Sequence, residues 1–299
     1  MAALLQQPRP NGDISIELSG GHSHGVPTSE KVDLYNVSYS NYSSELYGVI
    51  RAETYGEDLG QSSWMTAEEL RRLTGELHLG PEAHLLEIGS GSGAPAIEVA
   101  ARTGCSVTGI DMNESGITNS NALAVARSLD SRIRFLQVDA SQSLPFGSSS
   151  FSAVFSNDTL CHVANRGSLI RECFRVLVPG GRFVFTDALV ITGVISHEEI
   201  AVRSSIGHYL FVPSGVNESF LGDAGFELTR TDDLTSAATD VAKRWHDARE
   251  KRREKLVQIE GEQGYSGLQK FLMTVHELCR EHRLSRIAYL ATKPSSLDS

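Results

Sequence analysis

The chain has 299 residues, of which 40% are hydrophobic and 21% are charged, a composition typical of a soluble globular protein and not of a disordered or collagenous one. Its formal net charge of -10 makes the average surface repel phosphate polyanions, which disfavours nucleic acid as a partner and favours a small molecule. The longest apolar runs, such as 183–185 and 188–190, are far shorter than a bilayer span, so no membrane partner is expected.

The first 28 residues predict a flexible tail, because Pro, Gly, Ser and Asn dominate a segment that cannot bury enough surface to offset its ordering entropy. His22 and His24 lie on glycine-rich chain and are expected to be solvated, so no metal is predicted. The N-terminus lacks the apolar core of a secretory signal, and the four cysteines form no C-x-x-C pair. These features predict a reducing, cytoplasmic location.

Residues 29–80 are predicted to form an N-terminal helical lid. Five of the chain's 8 tyrosines lie between residues 31 and 55. Two interpretations stay open for this concentration: aromatic edges that pack a helix pair on the domain, or phenol groups that face a ligand. Apolar residues then recur at helical spacing from Trp64 to Leu79, and Gly80-Pro81 ends that predicted helix.

From residue 81 onward, short apolar runs alternate with helical patterns. Such alternation builds a parallel sheet covered on both faces, so residues 81–235 are predicted to be a doubly wound α/β core. A charged helical insertion is expected at 236–285, and the last strand with a short tail at 286–299. The expected strands are His84–Ile88, Ser106–Ile110, Ile133–Val138, Phe151–Phe155, Arg182–Thr186, Phe226–Arg230 and Arg286–Ala291.

A glycine-rich loop joins the first predicted strand to the first helix of this core. Gly89, Gly91 and Gly93 occupy alternate positions, where glycine permits a tight turn and a close approach of a nucleoside to the backbone. The spacing differs from the G-x-G-x-x-G of dinucleotide folds, and the loop continues into Pro95 without a basic residue for a pyrophosphate. The pattern therefore favours a nucleoside ligand other than a dinucleotide.

Three acidic residues follow three consecutive predicted strands. Glu87 lies just before the glycine loop, Asp111 ends the second strand where a ribose-binding carboxylate belongs, and Asp139 follows the third, where it can accept the exocyclic amine of an adenine. Ligands bind at the carboxyl edge of open α/β sheets, so the common placement predicts one nucleoside site. The alternative is three unrelated helix caps.

Four segments in order resemble the successive motifs of class I S-adenosylmethionine-dependent methyltransferases: 87–93, 109–112, 138–140 and 175–182. The resemblance implies S-adenosylmethionine as cofactor, and a Rossmann-like sheet of seven mostly parallel strands with an antiparallel final strand. The predicted cofactor-binding residues are Tyr47, Glu87, Gly89, Gly91, Gly93, Asp111, Met112, Asp139, Ala140 and Asn157.

A narrower resemblance involves 47–56, 156–162 and the charged insertion, which are similar to phosphoethanolamine and sarcosine/dimethylglycine N-methyltransferases. It implies that Tyr39, Asp158 and His162 are catalytic and contact the acceptor, with Tyr39 latching onto His162 when residues 31–60 close. His162 either accepts a proton from an amine or only orients it. A purely structural hydrogen bond is the third interpretation.

The sequence departs from the phosphobase enzymes at 205–209, where no arginine stands beside Tyr209 to hold a phosphate. Tyr209 is still predicted to bind the acceptor. The expected function is methyl transfer from S-adenosylmethionine to a small-molecule acceptor, with an amine nitrogen favoured. The alternatives are C- or O-methylation of a natural product and, less favoured, binding of S-adenosylmethionine without catalysis.

Overall fold

The computed structural model describes residues 34–295, apart from the side chain of Tyr35. The predicted tail at 1–28 lies outside the described residues. Eight strands form one sheet: β1 (His84–Ile88), β2 (Ser106–Asp111), β3 (Ile133–Gln137), β4 (Phe151–Ser156), β5 (Leu177–Ile191), β6 (Val212–Pro213), β7 (Glu227–Asp233) and β8 (Leu284–Thr292).

The strand order is β3-β2-β1-β4-β5-β8-β7, and the two-residue β6 pairs with β5. Neighbouring strands are parallel except that β8 runs antiparallel to both β5 and β7. The predicted α/β class, with seven principal strands and an antiparallel last one, is therefore confirmed. Strand β5 is much longer than the predicted segment of Arg182–Thr186, because Leu177 before the segment pairs with β4 and the residues after it pair with β8 as far as Ile191.

Ten helices accompany the sheet within the described residues. They are α1 (Leu34–Ser40), α2 (Glu45–Tyr55), α3 (Ala67–Gly75), α4 (Ala94–Thr103), α5 (Glu114–Ala126), α6 (Arg166–Val176), α7 (His197–Arg203), α8 (Val216–Ala224), α9 (Thr235–Glu250) and α10 (Arg253–Arg280). The helix predicted from Trp64 begins later, because Thr66 accepts a hydrogen bond from the Glu69 backbone amide and caps α3. No described helix is long and apolar enough to cross a membrane.

Each face of the sheet has its own apolar core, because successive side chains of a strand point to opposite faces. On β1, Leu85 packs with the layer that contains α4, whereas Leu86 packs with the layer that contains α6. Both side chains are fully buried. The carboxyl ends of β1, β2 and β4 thus meet at one edge of a sheet that is covered on both sides.

Helices of the predicted lid pack against helices of the predicted insertion. Leu34 of α1, Ile50 of α2, Trp245 of α9 and Leu268 of α10 belong to one buried cluster. We call these four helices the cap. Helix α10 is kinked at Gly261, whose backbone has φ 75° and ψ 161°.

Candidate active site

The glycine loop after β1 requires glycine at all three alternate positions. Gly89, Gly91 and Gly93 have φ of 75°, 53° and 81°, the left-handed region that side chains with a Cβ disfavour. A Cβ on Gly89 would lie 2.1 Å from Thr159 Oγ1, and one on Gly93 would lie 2.5 Å from Ser120 Cβ. The loop therefore presents bare backbone at the carboxyl edge of the sheet.

Asp111, at the end of β2, fixes this loop. Its Oδ2 accepts a hydrogen bond of 2.9 Å from the Gly91 amide, and its Oδ1 accepts one of 2.8 Å from the Asn113 amide. Each carboxylate oxygen has a second lone pair, so the half-buried group retains capacity to accept hydroxyl hydrogens. The geometry is compatible with the ribose-binding role predicted for Asp111.

The third predicted acid lies in an open part of the same edge. Asp139 follows β3 and is exposed, and the Ser141 side chain and backbone hydrogen-bond its carboxylate and lower its pKa. Ala140 beside it is half-buried, whereas Met112 is 72% exposed. The surface predicted to hold the adenine is thus accessible.

Three polar atoms beside the glycine loop are buried and have no hydrogen-bond partner among the described residues: Glu87 Oε2, Ser90 Oγ and Ser92 Oγ. Burial, followed by the charge of Asp111, raises the pKa of Glu87 to about 8. With Asn157 and Tyr39, these residues line a hollow of about 60 Å³ above the loop. A buried polar atom without a partner is costly, which points to a ligand that satisfies it.

The two lid tyrosines that the sequence assigns to the site face different partners. Tyr39 lies over the glycine loop, where a Cβ on Gly91 would be 2.9 Å from its hydroxyl, and it hydrogen-bonds Ser62. Burial, followed by the charge of Asp111, raises the pKa of Tyr39. The Tyr47 hydroxyl instead donates a bond of 2.7 Å to Glu260 Oε1 in the cap. The predicted cofactor contact of Tyr47 stays a prediction.

His162 lies in a 3-10 turn, Leu160–His162, that follows β4. Its Nδ1 is 3.0 Å from the carbonyl oxygen of His208, and because a carbonyl only accepts, Nδ1 carries the hydrogen and Nε2 the lone pair. Its ring packs on Tyr209 at 4.4 Å between centroids. Burial lowers the pKa of His162 to about 4, so the imidazole is neutral near pH 7. The structure gives His162 and Tyr39 different neighbours, and the predicted latch stays a prediction.

The predicted catalytic residue Asp158 is engaged in a buried ion-pair network. Its Oδ1 and Oδ2 accept bonds of 2.9 and 3.1 Å from Arg286 Nε, and Thr186 Oγ1 donates a further bond of 2.8 Å to Oδ1. Arg286 also pairs with Glu69 of α3 and donates to Asn157 Oδ1 at 3.0 Å. This network, which the sequence analysis missed, joins the turn after β4 to β8 and α3. The predicted catalytic role of Asp158 stays a prediction.

Arg203 of α7 is a second residue that the sequence analysis missed. It is 1% exposed, and its guanidinium carbon lies 4.6 Å from the ring centroid of Tyr209 and 5.0 Å from that of Phe271. The sequence lacks an arginine directly beside Tyr209, but the fold brings one to it from the preceding helix. The sequence analysis missed this pair because it compared only residues 205–209, and Arg203 lies just before them.

A cavity of about 600 Å³ lies between α1, α2, α9 and α10 of the cap. Tyr39, Gln61 and Ser62 line both this cavity and the smaller hollow above the glycine loop, so the two spaces adjoin. Within residues 34–295, no group of three or more His, Cys, Asp or Glu side chains is arranged to hold a metal ion.

Comparison with known proteins agrees with this geometry. A family model described as a methyltransferase domain matches residues 86–185. The 27-O-demethylrifamycin SV methyltransferase of Amycolatopsis mediterranei is 32% identical over 214 residues, which cover 66% of this chain and 78% of that protein. The chain belongs to the class I S-adenosylmethionine-dependent methyltransferases.

Other members of this methyltransferase family differ in the atom that they methylate. The sterol 24-C-methyltransferase of Debaryomyces hansenii is 26% identical over 259 residues, which cover 81% of this chain and 68% of that protein. The structure of Haemonchus contortus phosphoethanolamine N-methyltransferase 2, with phosphomonomethylethanolamine and S-adenosylhomocysteine, matches with a TM-score of 0.72 at 19% identity. That match covers 88% of this chain and 60% of the other and shows a shared fold. Sequence relatives that include sarcosine/dimethylglycine N-methyltransferases confirm the predicted resemblance.

The residues of this methyltransferase fit S-adenosylmethionine. The ribose hydroxyls of S-adenosylmethionine can donate to Asp111, and its ammonium can donate to Glu87 Oε2, which has no partner among the described residues. The hydroxyls of Ser90 and Ser92 are buried beside the same loop and suit its carboxylate. Left-handed glycines leave room for the backbone to approach the nucleoside.

Proposed function

We propose that this methyltransferase transfers the methyl group of S-adenosylmethionine to a small-molecule acceptor bound beneath the cap. The observation that carries the proposal is the partnerless carboxyl oxygen of Glu87, buried beside the loop that Asp111 fixes. The cap cavity adjoins that loop at Tyr39. A donor site and an acceptor space therefore share one wall.

The cofactor supplies a methyl group on a sulfonium whose thioether product is a good leaving group. Little covalent help from the protein is needed, so its residues mainly orient the acceptor and exclude water. The loop and Asp111 fix one side of the reacting pair, and the cap covers the other. With the cofactor bound, the carbon–sulfur bond would break as the acceptor's lone pair bonds the methyl carbon, the sulfonium would become a neutral thioether, and the acceptor's proton would leave to solvent.

His162 suits the orienting role better than the role of base. A neutral imidazole with a pKa of about 4 can accept a hydrogen bond at Nε2 from an N–H or O–H of an acceptor that extends beyond the cap cavity, which His162 does not line. It removes protons poorly from an ammonium, because amino groups have a pKa of about 8 to 10. An amine acceptor would therefore have to bind in its neutral form.

The amine nitrogen favoured by the sequence remains a prediction, as does a cytoplasmic location. The four cysteines Cys105, Cys161, Cys173 and Cys279 are all free and buried, which suits a reducing compartment.

Aromatic rings that line the cap cavity, including Tyr42 and Trp245, would stabilise a methylated ammonium by cation–π contact. Transfer to oxygen or carbon is the alternative that the cap cavity supports.

The test combines calorimetry with a transfer assay. Asp111→Asn keeps the size of the side chain and removes its charge, and we expect a loss of about 1.5–3 kcal/mol in binding of S-adenosylhomocysteine. Asp130→Asn, at an exposed position, is the matched control. Transfer of labelled methyl from S-adenosylmethionine to amine and phenol acceptors then reports the nucleophile. Wild-type protein that binds neither cofactor nor product would contradict the proposal.

A further inference from the structure

The cap cavity is much larger than a small amine. At about 30 Å³ for each water-sized group, a trimethylated amino acid with about eight heavy atoms fills about 240 Å³. The cavity holds about 600 Å³, within the range of sites that bury drug-sized ligands. A small amine alone would leave more than half of the space to water, which opposes the exclusion of water that methyl transfer needs.

Apolar and aromatic side chains form the middle of the cavity, and polar ones, among them Arg51, Gln61 and Ser62, share its lining on the lid side. Val37 of α1 and Ile50 of α2 face Trp245 of α9 and Leu268 of α10, and Tyr42 completes the lining on the lid side. Such walls bury flat or ring-shaped apolar surface, with a gain of about 25 cal/mol per Å². They offer little to a molecule that is charged on every side.

One end of the cavity carries a buried polar group. Arg249 Nη1 and Nη2 donate to Glu260 Oε1 and Oε2 at 3.0 and 2.6 Å, and the side chains of the pair are 2% and 5% exposed. The Tyr47 hydroxyl donates a third hydrogen bond to this carboxylate, at Oε1. Glu260 Oε2 accepts a hydrogen bond from Arg249 Nη2 and has a second lone pair. This oxygen is suited to accept a hydrogen from a ligand.

The neighbouring backbone is also irregular. Gly261 interrupts α10 directly after Glu260, and residues 260–264 all line the cavity. A kink removes i→i−4 hydrogen bonds of the helix, so polar backbone lies at the end where the carboxylate is. The cavity therefore has an apolar middle, a buried ion pair at the Glu260 end, and further polar side chains near Gln61 and Ser62.

We propose that this cavity is the acceptor chamber, and that it takes an apolar, ring-bearing molecule with a hydroxyl or amine donor that meets Glu260. The proposal rests on the proposed function, since the chamber adjoins the hollow above the glycine loop at residues that line both spaces: Tyr39, Gly60, Gln61 and Ser62. The rings lie between Val37 and Trp245. The methylated atom lies at the Tyr39 side, away from the polar end.

The experiment titrates the full chain with N-phenyl-1-naphthylamine, a neutral ring-bearing amine whose fluorescence rises in apolar surroundings. Val37→Phe fills the chamber from a half-buried position of α1, and we expect the dissociation constant of the probe to rise about tenfold or more. Ser38→Leu is a second filling variant, at another half-buried position that lines the chamber. Val49→Phe, which is 40% exposed on α2, is the matched control and should bind as wild type.

The affinity for S-adenosylhomocysteine is measured on the same proteins. Weaker probe binding in both filling variants, with affinity for the product unchanged, would support the chamber. Equal probe binding in wild type and filling variants would overturn it, as would a wild type that binds the product but not the probe. Failure of the wild type to bind the product would instead contradict the proposed function.

Discussion

Replacing Glu87 with glutamine should stabilise the protein and weaken its hold on the cofactor. The carboxyl group is 3% exposed, and burial together with the charge of Asp111 raises its pKa from 4.5 to about 8. Between these pH values the folded protein binds a proton that the unfolded chain has released. Stability contributed by the neutral carboxyl is therefore lost as pH rises from 4.5 to 8.

The size of the effect follows from the two pKa values. The two pKa values differ by about 3.5, and at about 1.36 kcal/mol per pKa unit this difference corresponds to roughly 5 kcal/mol of unfolding free energy. A neutral glutamine does not carry this penalty. We expect Glu87→Gln to match the wild type near pH 4.5 and to exceed its unfolding free energy by several kcal/mol above pH 8.

The assay is urea denaturation at pH 4.5 and pH 8.5, with calorimetric titration of S-adenosylmethionine on the same samples. Glu68→Gln, at an exposed position of α3, is the matched control. At pH 8.5 the glutamine variant should bind the cofactor more weakly, because the cofactor's ammonium loses a charged partner that the wild type provides above the Glu87 pKa of about 8. A stability difference between Glu87→Gln and wild type that does not grow with pH would refute the reasoning.

Three further substitutions test other parts of the site. Asp158→Asn leaves Arg286 with one carboxylate partner and should lower the unfolding free energy, measured by urea denaturation, by about 3 kcal/mol. Lost turnover with wild-type stability would instead indicate that Asp158 acts directly in catalysis. His162→Ala should lower kcat about tenfold with unchanged affinity for S-adenosylmethionine, and the wild-type rate should show no titration of this residue between pH 7 and 5. Tyr47→Phe removes the hydrogen bond to Glu260 and should lower the unfolding free energy by about 1.5 kcal/mol. Lower cofactor affinity with unchanged stability would instead indicate that Tyr47 contacts the cofactor.

Local patterns were enough to predict the sheet and its glycine loop. Strands such as His84–Ile88 are short apolar runs bounded by turn residues, and side-chain alternation fixes which face each residue covers. Asp111 was predictable as a site residue because parallel strands end at the same edge of a sheet. These inferences depend on residues that are close in sequence or on a general rule of topology.

Contacts between distant segments could not be predicted in this way. The network of Glu69, Asp158 and Arg286 joins three elements that are far apart in the chain, and its residues give no joint signal in the sequence. Arg203 and Tyr209 are near in sequence, but the contact between their side chains depends on how α7 packs in the fold. The cap cavity likewise arises from the packing of the lid on the insertion, which the sequence treats as two separate helical regions.

The most direct test of the account is a crystal structure of the chain with S-adenosylhomocysteine. We predict that the ribose hydroxyls of the product lie about 2.7–3.0 Å from the carboxylate of Asp111, and that its amino group lies within hydrogen-bond distance of Glu87. We also predict that the sulfur faces the wall that Tyr39 shares with the cap cavity. A product molecule bound away from the glycine loop, with Glu87 still without a partner, would contradict the account.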